Sequence, residues 1–285
     1  MRILLLIFFC SLIFYASGKI YAQSYYFSDQ IGKFKNASAL TYSTAGFIYV
    51  TDSGTDEIYK LDTAGNVLKS AGGFGWDPGL FDDPTGVFAN PLTVYVCDKN
   101  NHRVQRFDKD LNNFWLLTTR NSDTTDLRFG YPLGCMVSQQ GDLYIIDSEN
   151  KRIVKFDLFG NFVLNFGGYD AGNYSLSAPQ SIAISNSNCL FVADGKQIVI
   201  FDQYGNGSGI VSSMNELKKI NITYNMLSVC SDSAVYFCNL NLQDLKLKEL
   251  NLNGIDKTLE IKDSFILFNK LYVLTKETIL VFIKL

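Results

Sequence analysis

Residues 142–168 read DLYIIDSENKRIVKFDLFGNFVLNFGG. Leu143-Tyr144-Ile145-Ile146 is apolar at every position, the composition of a strand covered on both faces. Asp147 ends it, and Ser148–Lys151 is a polar loop. Arg152–Phe156 is a second strand. Asp157-Leu158-Phe159-Gly160-Asn161 has turn chemistry, because Asp bonds the backbone ahead of it and Gly supplies positive φ. Phe162, Leu164 and Phe166 then alternate with Val163 and Asn165, the period of a third strand, and Gly167-Gly168 breaks it.

Relatives of this stretch recur. The first strand reappears as Tyr49-Val50-Thr51-Asp52, Tyr95-Val96-Cys97-Asp98 and Phe191-Val192-Ala193-Asp194, then more weakly as Tyr236-Phe237-Cys238-Asn239 and Tyr272-Val273-Leu274-Thr275. With Tyr144 included, successive aromatic positions lie 46, 49, 47, 45 and 36 residues apart. The Asp-x-x-Gly-Asn turn recurs at Asp62–Asn66 and Asp202–Asn206, with Asn251–Gly254 as a degenerate copy. In the second repeat Leu111 replaces the glycine, so that turn is expected to be differently shaped or strained. A further strand precedes each motif: Gly86–Ala89, Leu133–Val137, Ser181–Ile184, Leu227–Cys230 and Phe265–Phe268. Four antiparallel strands in a period of about 45 residues make a propeller blade. The expectation is an all-β chain: a six-bladed β-propeller of four-stranded antiparallel blades.

Ring closure is legible at the ends. After the last motif only Thr278–Leu285 remains, enough for one strand, so the sixth blade lacks its outer strand. Ser24–Ile31 resembles an outer strand, and completing the last blade with it would pair two open edges.

The chain has 285 residues, 47% hydrophobic and 14% aromatic, so it can bury a large core. Net charge is −3, with no basic excess to hold phosphates, and nucleic acid is not an expected partner. Met1–Ala22 reads as a secretory signal: Arg2 is its positive end, Ile3–Tyr15 its apolar run, and Ala16-Ser17-Gly18 or Ile20-Tyr21-Ala22 its cleavage site. The expected organisation is a signal over residues 1–22 and one propeller over 23–285. The mature protein is then secreted or periplasmic, with no transmembrane segment after signal removal.

Repeats one to three resemble NHL repeats, a six-bladed propeller family. Asp98-x-x-Asn101-x-Arg103-Val104 and Asp147-x-x-Asn150-x-Arg152-Ile153 match that family's Asp-x-x-Asn-x-Arg-Ile/Val segment. Gly72-Gly73-Phe74-Gly75, leading to Gly79-x-Phe81-x-x-Pro84-x-Gly86, matches its between-blade segment, which Phe129-x-x-Pro132-x-Gly134 and Leu176-x-x-Pro179 repeat in part. Repeat one departs, with Thr55 and Glu57 where Asn and Arg are expected, and repeat four lacks two loop residues.

Because these groups repeat, their expected role is to tie loops and blades together, with Phe81, Phe129 and Leu176 as apolar plugs. A binding site is built from what differs, and that material lies between blades. Trp76 and Asp77 fall in Phe74–Pro84, Arg120 and Tyr131 in Thr118–Pro132, and Tyr169 in Gly168–Pro179. Exposed aromatics with mixed charges suit recognition of a protein, peptide or glycan. The expected function is therefore an exported, non-catalytic binding module. No catalytic residue, metal ligand or cofactor is assigned: His102 is the only histidine, a poor basis for a zinc site or a triad. One alternative is a metal-dependent hydrolase like the gluconolactonase propellers. It needs unpaired carboxylates or amides near the axis, where only Gln180 and Asn225 fall near inner-strand starts. Another is a structural accessory subunit. Five cysteines remain after processing; Cys97 and Cys238 are placed at equivalent strand positions, Cys230 opposite Val235, and all are expected as buried free thiols. Asn36, Asn173, Asn206 and Asn221 head glycosylation acceptor patterns.

Overall fold

A computed structural model describes residues 23–241, 245–255 and 259–285; the signal expected at 1–22 lies outside the described residues. The first described element is β1 (Ser24–Ile31), and successive blades follow it. Blade one is β2 (Ala37–Ser43), β3 (Phe47–Asp52), β4 (Glu57–Leu61) and β5 (Val67–Gly72). Blade two is β6 (Pro84–Ala89), β7 (Thr93–Asp98), β8 (Arg103–Asp108) and β9 (Asn113–Thr118). Blade three is β10 (Cys135–Val137), β11 (Leu143–Asp147), β12 (Arg152–Phe156) and β13 (Phe162–Phe166). Blade four is β14 (Pro179–Ile184), β15 (Leu190–Asp194), β16 (Gln197–Phe201) and β17 (Gly207–Ser212). Blade five is β18 (Lys219–Thr223), β19 (Met226–Cys230), β20 (Val235–Asn239) and β21 (Lys248–Glu249). After β22 (Asn251–Asn253), blade six is β23 (Ile261–Leu267), β24 (Lys270–Thr275), β25 (Ile279–Lys284) and the returning β1. The architecture is the expected six-bladed propeller.

The closure strand pairs antiparallel with β25, from Tyr25 opposite Lys284 to Ile31 opposite Ile279. Tyr25 is 1% exposed and Ile31 is buried, whereas Tyr26 and Phe27 remain exposed. Its apolar contribution therefore rests on two side chains, each stabilising by roughly 1.5–3 kcal/mol. β22 pairs parallel with the outer side of β1 over Ser24–Tyr26, which covers the first part of that edge. Asn251–Gly254 thus supplies this covering strand, not the hairpin turn expected of it.

Blade five corrects the register of the repeat. Its inner strand is β18, so Leu227–Cys230 is a second strand and Tyr236–Asn239 a third. Cys97 and Cys238 consequently occupy different strand positions. Cys230 does face Val235, and the two thiols point to opposite sides of the sheet. Cys97, Cys135, Cys189, Cys230 and Cys238 are all free, and all but Cys189 are buried. The slip has a plain cause. Cys230 stands where an Asp ends the second strand of blades one to four, while Tyr236 and Asn239 imitate that ending one strand later.

The core is six layers, each between neighbouring blades. Ile48, Val50, Phe265 and Tyr272 share one across the ring junction, and Tyr144, Ile146, Val192 and Phe201 share another between blades three and four. Both faces of each blade are covered, which is why the second strands carry unbroken apolar runs. Phe81, Phe129 and Leu176 are buried plugs as expected, and Phe34 is buried before blade one in the same manner. The turn at Leu111 keeps the shape of its siblings: Asp108 Oδ1 accepts from the Asp110 and Asn112 amides, as Asp157 does from Phe159 and Asn161. Leu111 is therefore strained, at φ +58°, and its burial between blades one and two offsets that cost.

Candidate functional site

The inner strands β2, β6, β10, β14, β18 and β23 surround a central channel. Gly86 lets two of them approach, since a Cβ there would sit 2.7 Å from the Leu133 carbonyl. The channel is pinched at mid-height and opens at both ends. One mouth, about 340 Å³, is ringed by Asn36, Thr85, Gln180, Lys218, Lys219 and Asp232. The other, about 570 Å³, lies among the hairpins joining first and second strands.

The pinch is polar. Lys219 Nζ donates to the Thr85 carbonyl at 2.6 Å. Asp263 accepts from the Leu40 amide at 3.0 Å and from Asn221 Nδ2 at 2.8 Å. Burial lifts the Asp263 carboxyl to about 7, against the opposing pull of Lys219 and these donors. Sequence reasoning missed Lys219 and Asn221 because it took β19 for the inner strand of blade five, and missed Asp263 because it began the inner strand of blade six at Phe265, whereas β23 begins at Ile261. Asn225 is not an inner-strand start; it sits in the β18–β19 turn at φ +62°. Gln180 does line the mouth. A divalent cation does not fit this donor set. Asp263 is already engaged by an amide donor, and an ammonium lies across the channel. Among the described residues no three His, Cys, Asp or Glu side chains converge.

The connections between blades and the loops joining second to third strands share one face, around the smaller mouth. There the repeated residues act as clamps. Arg103 Nε donates to the buried Asp98 carboxylate at 2.6 Å. Its other nitrogens hold the carbonyls of Trp76 at 2.5 Å, Asp77 at 3.1 Å and Leu80 at 2.9 Å. Burial outweighs these donors and leaves Asp98 above the usual carboxylate range. Arg152 repeats the arrangement, bonding Asp147 and the carbonyls of Thr125 and Arg128. In blade four Gln197 takes the arginine's place on Asp194. The repeated groups thus tie loops to blades, as expected.

The five candidate residues are all exposed. Trp76, 71% exposed, and Asp77 project from the segment that Arg103 holds. Arg120 and Tyr131 come together in a second cluster: Arg120 pairs with Glu149, and the Tyr131 ring packs edge-on against His102 at 4.2 Å. His102 Nδ1 accepts the Tyr131 amide at 3.1 Å. Burial, then the Arg120 charge, lowers the imidazole's basicity. That histidine is a loop anchor. Tyr169 stands apart from both clusters at 98% exposed. Phe74, also strongly exposed, belongs to the same face and was not singled out from sequence. Of the glycosylation acceptors, Asn36, Asn206 and Asn221 spend their side-chain amides on internal bonds, whereas Asn173 is exposed.

Residues 81–107 match the NHL repeat family model. The chain is a six-bladed propeller of the NHL-repeat kind. It is 31% identical over 140 residues to Protein brain tumor of Drosophila melanogaster, a match that takes in 47% of the chain and 13% of that relative. The match therefore spans only a small part of this relative's length. Among solved structures, a virginiamycin B lyase from Staphylococcus aureus with quinupristin superposes with a TM-score of 0.63 at 14% identity. That alignment covers 87% of this chain and 80% of the lyase. A gluconolactonase from Xanthomonas campestris gives 0.65 at 13%, covering 88% and 86%. At such identities the likeness is one of fold.

Proposed function

We propose that this NHL-repeat propeller is an exported, non-catalytic binding module that takes a protein or peptide on the face of the between-blade connections. NHL propellers generally mediate protein interactions. Among the described residues no helix is long and apolar enough to cross a membrane. One observation carries the reading: Trp76 presents its ring to solvent from a backbone whose carbonyl is fixed by Arg103. A large exposed aromatic on a pre-ordered segment costs little entropy to engage, which is the character of an interface anchor. Tyr131, braced by His102, repeats the pattern, and Asp77 and Arg120 add charge of both signs.

The test is capture by the immobilised mature protein, wild type against Trp76→Ala/Tyr131→Ala, from medium and envelope extracts. Saturable capture by the wild type, abolished in the variant at unchanged melting temperature, is expected. Loss of fold in the variant would make these residues structural. A stoichiometric bound metal together with lactone hydrolysis by the pure protein would overturn the non-catalytic reading.

A further inference from the structure

The wider mouth of the channel, on the opposite face, has a different chemistry. Its wall is formed by Thr41, Tyr42, Phe88, Met136, Gln139 and Ile184, with Asn221 at the floor and the hairpins of the blades as the rim. No residue lining it carries charge at neutral pH; the one titratable group, the Tyr42 phenol, is raised further by burial. The cavity, about 570 Å³, is the size of a small-molecule site. Tyr42 is backed by a stack with Phe265, 5.8 Å between centroids, which stacks in turn on Tyr272 at 4.6 Å. On the rim, the β18–β19 and β23–β24 turns place Tyr224 and Phe268 in a stacked pair at 5.5 Å. Phe268 is 79% exposed, and both residues hold positive φ, which costs energy for aromatic side chains.

Polar groups face the same space without partners. Among the described residues the Gln139 carboxamide and the Thr41 and Thr44 hydroxyls make no hydrogen bond, and Asn90 uses only its oxygen. A charged ligand would be desolvated here with no opposite charge to meet it. A wholly apolar ligand would strand these amides and hydroxyls. What satisfies both constraints is a ligand with apolar C–H faces edged by neutral hydroxyls, each able to donate and accept as the amides are.

We propose that this mouth is a binding site for a neutral saccharide, with Tyr224 and Phe268 as the stacking platform and Gln139, Asn90 and Thr44 as the hydroxyl-reading groups. This site is independent of the opposite face and survives failure of the reading given above.

Cellohexaose, chitohexaose, maltohexaose and mannohexaose are titrated against the mature protein by saturation-transfer NMR and calorimetry, with a heparin-derived hexasaccharide as the charged comparison. At least one neutral sugar is expected to bind at millimolar concentration or below, and the sulfated one at least about ten-fold more weakly. Tyr224→Ala/Phe268→Ala should weaken the neutral sugar by about ten-fold or more, and Gln139→Ala by several-fold, about 1 kcal/mol. Phe159→Ala, an exposed aromatic in the β12–β13 turn, serves as the control and should change nothing. Both outcomes are read on variants whose melting temperature matches wild type. The site is overturned if no neutral probe binds at millimolar concentration, if binding survives in both the double variant and Gln139→Ala, or if the sulfated sugar binds as tightly.

Discussion

Lys218, Lys219, Lys262 and Asp232 ring one end of the channel, while the other end is lined without a formal charge. Both ends are made by the same inner strands. The difference comes from the loops. On the connection face, segments as long as Thr119–Gly134 are held by Asp98–Arg103 and Asp147–Arg152, so variable residues such as Trp76 ride on fixed backbone. On the hairpin face the turns are short, and aromatics reach the rim only by adopting strained φ at Tyr224 and Phe268. Repeated residues hold the scaffold; residues that break the repeat make the two ends differ.

The largest expected effect removes both ends together. Deleting Ser24–Ile31 takes away the strand between β25 and β22, and with it Tyr25 and Ile31. The shortened chain should unfold or aggregate, as read by size exclusion and thermal melting. Melting like the full mature chain would contradict ring closure.

Next comes the clamp. Arg103→Ala leaves the Asp98 carboxylate buried without its cation and frees the Trp76 and Asp77 carbonyls, while Leu80 keeps its bond from Gln105. A loss of about 3–5 kcal/mol in denaturant unfolding is expected, as for breaking a buried pair. Hydrogen exchange should quicken in Gly73–Asp83 and stay slow in the hairpins of the opposite face. Uniform quickening would erase the distinction between the two ends.

The pinch between them supplies a pH signature. The folded Asp263 carboxyl sits at about 7, above its unfolded value of about 3.9, so the folded state binds the extra proton between those limits. The stability this contributes is complete below about pH 4 and is lost as pH rises through about 7. Asp263→Asn is insensitive in that window. Its stability relative to wild type should therefore rise between pH 4.5 and pH 8, by about 3 kcal/mol, in paired denaturant titrations. A difference flat across that range would place the carboxylate in contact with water.

How much of this was readable without coordinates follows the same division. Blades one to four announce themselves because an Asp closes each second strand, and that Asp is a hydrogen-bond hub: Asp52 accepts the Lys35 and Asn36 amides, Asp194 those of Ser177 and Ala178. Closure was legible because Ser24–Ile31 reads as an outer strand, and it does pair with β25. Blade five was misaligned by one strand because Cys230 needs no polar partner and Tyr236–Asn239 copies the missing signal. That slip hid Lys219 and Asn221, which divide the channel together with Asp263 of blade six. The candidates are exposed on the between-blade connections, yet their grouping was not readable, since the His102–Tyr131 contact joins two separate loops. The hairpin mouth was invisible for a related reason: it has no motif, only a convergence of six inner strands.

Recognition is proposed to use the clamped connections around Trp76 and Tyr131. Hydrogen exchange of the mature protein, with and without a saturating captured partner, tests it most directly. Protection confined to Gly73–Asp83, Thr119–Tyr131 and Gly168–Ala178 is the predicted result. Protection confined to the hairpins of the opposite face, with these segments unchanged, would contradict it.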